Sequence, residues 1–222
     1  MSSNINETIV NQNRAAYDKL AQAYARQWAD RPDLQLADQF LRLLQGSNIL
    51  DIGCGPGQYS SYFIDRGCAV DAIDISAAML RLAKHRDKRI RLRMLEMSRL
   101  DYPNCTFDGL WVCSSMPHIH RTIVPEVLKG FQRVLKPDGC LFVNAIIGCL
   151  EHRVETAEEL ELETRQPGRF FQWYPSTVVF RKILEQCGFS VQIEQQRTIT
   201  SKVVEKAIYP TNQWCNYFCY LA

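Results

Sequence analysis

The sequence has no run of eighteen apolar residues, so nothing in it reads as a membrane-spanning helix. Its first twenty residues lack the charged-then-apolar order of a secretory leader, which makes cytoplasm the default expectation. Charge of one sign is not in excess. Lys and Arg number 26 against 24 Asp and Glu, a net +2 over 222 residues, so no global field calls for a nucleic acid or a membrane surface. The nine cysteines are odd in number, scattered and without a C-x-x-C pair, so they frame neither a disulfide scaffold nor a metal site. They read as small buried hydrophobes, Cys113, Cys140 and Cys219 among them. Internal repeats and low-complexity segments are absent as well. A chain that is 46% hydrophobic and 23% charged remains, enough for one large domain with an appended element.

The densest information lies at Ile49-Leu50-Asp51-Ile52-Gly53-Cys54-Gly55-Pro56-Gly57. Ile49, Leu50 and Ile52 read as a short buried strand, and Gln58 to Phe63 as the start of a helix. Glycines at alternate positions let the connecting backbone adopt φ > 0 and approach a ligand closely. The helix start behind them presents unpaired N–H groups to that ligand. A second apolar run, Val70 to Ile75, carries Asp74 at its end, twenty-one residues after Gly53. In nucleotide-binding βαβ units an acid at that distance meets the ribose hydroxyls. Ser76 is placed to cap the helix that follows, Ala77 to His85.

The third glycine comes one position earlier than in the dinucleotide fingerprint G-x-G-x-x-G, and Asp51 precedes the first by two. Acid-x-Gly-x-Gly-x-Gly after a strand resembles the first motif of the class I S-adenosylmethionine (SAM)-dependent methyltransferases of small-molecule type. Four further segments resemble the family in order and spacing: 70–76, 94–102, 133–139 and 175–191. Arg133 to Gly139 departs in having Asp138 where glycine is commoner, which a type I turn accepts. The resemblance implies an α/β fold, a Rossmann-like doubly wound sheet of seven strands with the last antiparallel. N-terminal helices (1–45) would act as a lid on a SAM-binding domain (46–222) with a substrate-facing insertion (147–174). It further implies cofactor contacts from Tyr17, Tyr24, Asp51, Gly53, Cys54, Gly55, Gly57, Asp74, Ile75, Glu96, Met97 and Ser114. Among these, Glu96 stands where an acid takes the adenine amine, though many members carry Asp there.

In the rest of the chain, residues 1–11 are polar and read as loose. Tyr17, Leu20, Ala21, Tyr24 and Trp28 recur at helical spacing, and a second helix spans Leu34 to Leu44. Seven basic residues fall within positions 81–93 with no aromatics between them. That pattern reads as a solvated helix end and an edge strand with Ile90, Leu92 and Met94 turned inward. Further strands are expected at 107–113, 140–145, 189–194 and 214–221, with helices at 125–136 and 175–187. Between them, Glu151 to Arg165 carries six glutamates and reads as an exposed helix. The aromatic-rich stretch 166–174 follows as a substrate-facing segment or an apolar rim.

Methyl transfer from a sulfonium is an SN2 displacement, in which the protein chiefly aligns the acceptor and excludes water. A base is needed only where the acceptor arrives protonated, and His118, in the loop after the fourth strand, is the candidate. Trp28, Arg169, Phe171 and Trp173 are the candidate acceptor contacts, with no metal expected. The expectation is a SAM-dependent methyltransferase acting on an O or N atom of a small-molecule metabolite and releasing S-adenosylhomocysteine, as a monomer or homodimer. Two other readings stay open. One is an RNA methyltransferase, resting on the basic run; the other is a SAM-binding protein without turnover.

Overall fold

The computed structural model describes residues 2–28, 32–148, 152–154, 168–198 and 213–222. Its centre is β1 (Asn48–Ile52), paired in parallel with β2 (Ala69–Asp74) on one edge and β4 (Phe107–Val112) on the other. The outer strand beside β2 is β3 (Arg91–Met94), and beyond β4 lies β5 (Leu135–Ile147), both parallel. The terminal strand β9 (Gln213–Leu221) runs antiparallel to β5, and β8 (Phe189–Thr198) antiparallel to β9. The order β3-β2-β1-β4-β5-β9-β8 is the doubly wound arrangement of seven strands with the last reversed.

Two more strands join the sheet among the described residues. β7 (Phe170–Tyr174) pairs with β5 through Ile146 and Ile147, and β6 (His152–Val154) pairs antiparallel with β7. Since Ile146 faces both Trp173 and Trp214, β7 and β9 hold opposite edges of β5, and β7 continues the edge that β4 vacates after Val112. This corrects two expectations. The expected exposed helix from Glu151 is strand at 152–154, its remainder lying outside the described residues. The aromatic stretch is sheet, because alternating Phe170, Gln172 and Tyr174 face one side while Phe171 and Trp173 face the other, all buried.

Because the sheet is covered on both faces at its centre, β1, β4 and much of β5 are buried and largely apolar, and alternate residues feed two cores. Leu50, Ile52, Leu110, Val112, Leu141 and Val143 meet α5 (Val124–Val134) and α6 (Thr177–Gln186). Ile49, Trp111, Cys140 and Phe142 meet α2 (Leu34–Leu43) and α3 (Gln58–Ile64), while Ala83 of α4 (Ala77–Arg86) closes the same layer. Phe40 and Ala37 of α2 are fully buried there, so this part of 1–45 is a core element. The caps follow the sequence: Ser76 Oγ accepts from Met79 N at 3.1 Å, and Asp33 Oδ1 from Leu36 N at 3.1 Å. At α6 the cap is Ser176, which places Pro175 before the helix instead of inside it.

The N-terminus differs from expectation. α1 runs from Ser2 to Trp28 without a break, although residues 1–11 read as loose. Ile9 and Val10 are buried, and its polar residues bind across the molecule. Asn6 Nδ2 donates to Glu96 Oε1 (2.8 Å), Gln12 Nε2 to Gly168 O (2.8 Å) and Asn13 Nδ2 to His118 O (2.9 Å). A helix with a weak apolar face is held here by tertiary hydrogen bonds, which local periodicity does not report. Met94 is also corrected: it is 61% exposed, because β3 is an edge whose last residue has no covering helix. Among the described residues no helix is long and apolar enough to cross a membrane.

Candidate active site

β2 and β4 leave β1 on opposite sides, so the chain connections diverge above its carboxyl end and open a crevice there. The glycine turn forms one wall. Gly53 N and Cys54 N both donate to Ile73 O (2.8 and 3.0 Å), which ties the turn to β2. At Gly53 φ is +72° and a Cβ would stand 2.1 Å from Ser115 Oγ, so glycine is required there. Ser115 in turn donates to Ile52 O at 2.9 Å, locking the β4 loop to the end of β1. Gly55 N donates to Asp74 Oδ2 (2.9 Å) and Ser76 N to Asp74 Oδ1 (2.8 Å). Asp74 therefore lies across the turn with each oxygen accepting one backbone N–H.

The lid side is α1. Asp18 Oδ1 accepts from Ser76 Oγ (2.6 Å) and Ala78 N (2.9 Å), docking α1 on the start of α4. Asn13, 1% exposed, bridges His118 O and Phe170 N, the latter at 2.8 Å. Beneath α1 lies a cavity bordered by Tyr17, Tyr24, Gly53, Gly55, Asp74, Ile75, Glu96, Met97, Ser114 and His118. A second chamber shares Tyr24, Gly53, Gly55 and Ser114 with it and adds Asp51, Cys54, Asn144, Trp214 and Asn216. The two are thus contiguous over the glycine turn.

The candidate residues divide as follows. Eleven of the twelve expected cofactor positions border one or both spaces. Gly57 does not: it opens α3 facing α4, where a Cβ would lie 2.9 Å from Ala83 Cβ. Of the expected acceptor contacts, Phe171 and Trp173 pack with Ile146 and Trp214 inside the sheet, bordering neither space. Burial of both rings on the β5 edge is the reason. Arg169 lies 5.6 Å from the Tyr17 ring and 5.2 Å from that of Phe171. The side chain of Trp28 lies outside the described residues. Asp18, Asn13, Asn144 and Asn216 were not among the candidates. Their partners are distant in sequence, and the one local signal is that Asn144 and Asn216 each interrupt an apolar run.

Charge in the site is set by burial. Asp51, 2% exposed, accepts from Ser60 Oγ at 2.6 Å, yet loss of water pushes its pKa up to about 7. Asp74 is pushed up to about 6 for the same reason, against the backbone hydrogen bonds that favour its charged form. His118 touches the cavity but lies deep in the molecule, and removal from bulk water pulls its pKa down to about 4. Its Nδ1 is 2.9 Å from Phe170 O, a carbonyl that only accepts, so Nδ1 carries the hydrogen. Nε2 then accepts from the Tyr17 hydroxyl at 2.7 Å. His118 is a neutral imidazole with both nitrogens engaged.

Residues 49–139 match the family described as a methyltransferase domain. This segment is a methyltransferase domain. A malonyl-[acyl-carrier protein] O-methyltransferase from Pseudescherichia vulneris is 32% identical over 130 residues, covering 57% of this chain and 50% of that protein. A demethylmenaquinone methyltransferase from Tropheryma whipplei is 30% identical over 143 residues, 59% and 57% of the two chains. The chain spans about half the length of the curated relatives it matches. The methyltransferase fold extends further than the sequence match. The Burkholderia thailandensis 1,6-didemethyltoxoflavin-N1-methyltransferase, solved with 1,6-didemethyltoxoflavin and S-adenosylhomocysteine, superposes with a TM-score of 0.73 at 17% identity. That alignment covers 100% of this chain and 91% of the other.

Proposed function

We propose that this chain binds SAM in the crevice above β1 and transfers its methyl group to an O or N atom of a small-molecule acceptor, releasing S-adenosylhomocysteine. The observation that carries this reading is convergence: residues from α1, the glycine turn, the end of β2, the β3 loop and the β4 loop border one cavity. Asp74 keeps a lone pair on each oxygen after taking its two backbone N–H groups, which suits two vicinal ribose hydroxyls. Glu96 takes Asn6 and Ser98 on Oε1, leaving Oε2 for the adenine amine. The turn glycines form the wall shared by the two spaces, where the amino-acid end and the sulfonium belong, with Asp51 beside them in the second chamber. The named relatives and the bound product in the structural neighbour support the same cofactor and a small acceptor.

The cofactor brings its own leaving group, so the chain's work is alignment and exclusion of water. Tyr17 and Tyr24 roof the cavity, and His118 holds Tyr17 in place. The imidazole acts as a positioning residue in this arrangement; as a base it would first have to exchange Tyr17 for the acceptor's proton. The basic run does not favour RNA. Arg89 pairs with Asp65 and Asp87, Arg91 with Asp71 and Arg93 with Asp101, so three of its five guanidinium groups are countered by carboxylates within the fold. Calorimetry with SAM, S-adenosylhomocysteine and NADH tests the reading. Micromolar binding of the first two, abolished by Asp74→Ala, is expected. Preference for NADH, or SAM binding indifferent to Asp74→Ala, would refute it.

A further inference from the structure

The wall of the second chamber changes character along the sheet. β5, β9 and β8 lie side by side, so residues in register form rows on one face. The first row, Phe142, Phe218 and Ile193, belongs to the apolar core under α2. The next, toward the carboxyl end of β5, is Asn144, Asn216 and Gln195. The last is Ile146, Trp214 and Arg197. Four of these six outer positions, Asn144, Asn216, Trp214 and Arg197, border the chamber.

The two asparagines are 5% and 2% exposed, a costly place for amides that an apolar core would fill better. Asn144 Oδ1 accepts from Ser114 N at 2.7 Å, which orients the amide and leaves Nδ2 with only a 3.8 Å contact to Cys113 Sγ. Asn216 Nδ2 has no hydrogen-bond partner among the described residues. Each amide therefore holds a donor in reserve. Arg197 adds a guanidinium at the chamber mouth, steadied by an ion pair with Asp33, the residue that also caps α2. Trp214 offers a flat apolar surface in the same row and is backed by Ile146, Phe171 and Trp173.

We propose that this chamber is the acceptor site and that it takes a planar acceptor bearing a carboxylate. The ring lies on Trp214, and the carboxylate oxygens accept from Asn216, Asn144 and Arg197. The two spare amide donors beside Arg197 select an oxygen-rich, anionic group at this end of the chamber, away from the Ser60-bonded Asp51, and a planar guanidinium keeps further N–H groups for a carboxylate beyond its pair with Asp33. Phe171 and Trp173 then act by backing Trp214, although neither reaches the chamber. The inference rests on the methyl-transfer reading above, because the shared wall at Gly53, Gly55 and Ser114 is what brings this ligand to the cofactor's sulfonium.

The test uses the full chain loaded with S-adenosylhomocysteine, titrated calorimetrically with 3,4-dihydroxybenzoate and with catechol, its carboxylate-free counterpart. Dihydroxybenzoate is expected to bind at least about tenfold more tightly than catechol. Arg197→Gln should erase that difference, and Asn216→Leu should weaken dihydroxybenzoate about tenfold, with product affinity unchanged in both. Arg197 is half exposed, so its variant carries the test should Asn216→Leu fail to fold. Equal binding of the two probes, binding of neither, or a preference that survives Arg197→Gln and is lost in Arg169→Gln would overturn the proposal. Failure of the wild-type chain to bind S-adenosylhomocysteine would instead overturn the methyl-transfer reading, and this proposal with it.

Discussion

Gly53 and Gly55 both have positive φ (+72° and +54°), yet they should fail in different ways when replaced by alanine. A left-handed backbone costs a residue with a Cβ about 1–2 kcal/mol at either position. At Gly55 that is the whole structural cost, since the nearest atom to the new methyl is in the Tyr24 ring at 4.0 Å. At Gly53 the methyl would lie 2.1 Å from Ser115 Oγ and 2.8 Å from Ser115 Cβ, so Ser115 must leave its place. Its hydrogen bond to Ile52 O is then lost in a buried setting, at about 1–3 kcal/mol more. Gly53→Ala should therefore destabilise by about 2–5 kcal/mol, lowering Tm by roughly 4–20 °C in a chain of this size. Gly55→Ala should cost only the first part, but its methyl enters the cofactor cavity, so SAM affinity should fall by about tenfold or more. Thermal unfolding and calorimetry on both variants separate the two effects. The double variant Gly53→Ala with Ser115→Gly removes both clashing atoms and should recover about 1–3 kcal/mol relative to the sum of the single changes. If Gly53→Ala is no less stable than Gly55→Ala, the close approach of the β4 loop is not what requires glycine at 53.

Other expectations follow from the same geometry. With Asp51 at about 7 and Asp74 at about 6, SAM, which favours ionised carboxylates, should bind more weakly as pH falls below 7. Each carboxylate required contributes up to about tenfold per pH unit below its pKa, and calorimetry from pH 5.5 to 8 showing a flat affinity would refute it. The free protein has the opposite sign: both folded-state pKa values are raised, so the stability these groups contribute is lost as pH rises from about 4 to 7, and Asp51→Asn should flatten part of that slope. Because His118 is neutral with a pKa of about 4, activity on the true acceptor should show no imidazole limb between pH 5.5 and 8; a limb lost in His118→Asn would restore a base role. Asn13→Ala removes two buried hydrogen bonds and should cost about 2–4 kcal/mol, read as a Tm lowered by roughly 4–16 °C. Protease cleavage within 2–28 should speed up in that variant, and unchanged cleavage would mean that α1 is held elsewhere.

Much of the crevice was legible because its signals are short in sequence. The glycine turn, Asp51 and Asp74 lie on one βαβ unit, where spacing along the chain is nearly spacing in space. Ser76 announced its helix through the N–H groups that any helix start must satisfy. The first turns of α1 were misread because what holds them, Asn6 on Glu96 and Asn13 on the His118 and Phe170 backbone, joins residues far apart. Phe171 and Trp173 were placed toward a substrate because aromatic richness marks a rim and a strand alike; only their pairing with Ile146 shows which.

By itself, the sequence determined the strand and helix types around residues 49–76, the doubly wound class and the end of the sheet at which the crevice opens. These depend on local conformation, on φ > 0 at fixed positions and on the period of apolar residues. The tertiary structure alone decided which side chains meet. It set the register that lines Asn144 up with Asn216 and Arg197 with Trp214, and it placed Tyr17 on Nε2 of His118. It also set the charge of Asp51, Asp74 and His118. Register, contact and desolvation arise only when distant segments pack together and expel water, so no local pattern encodes them.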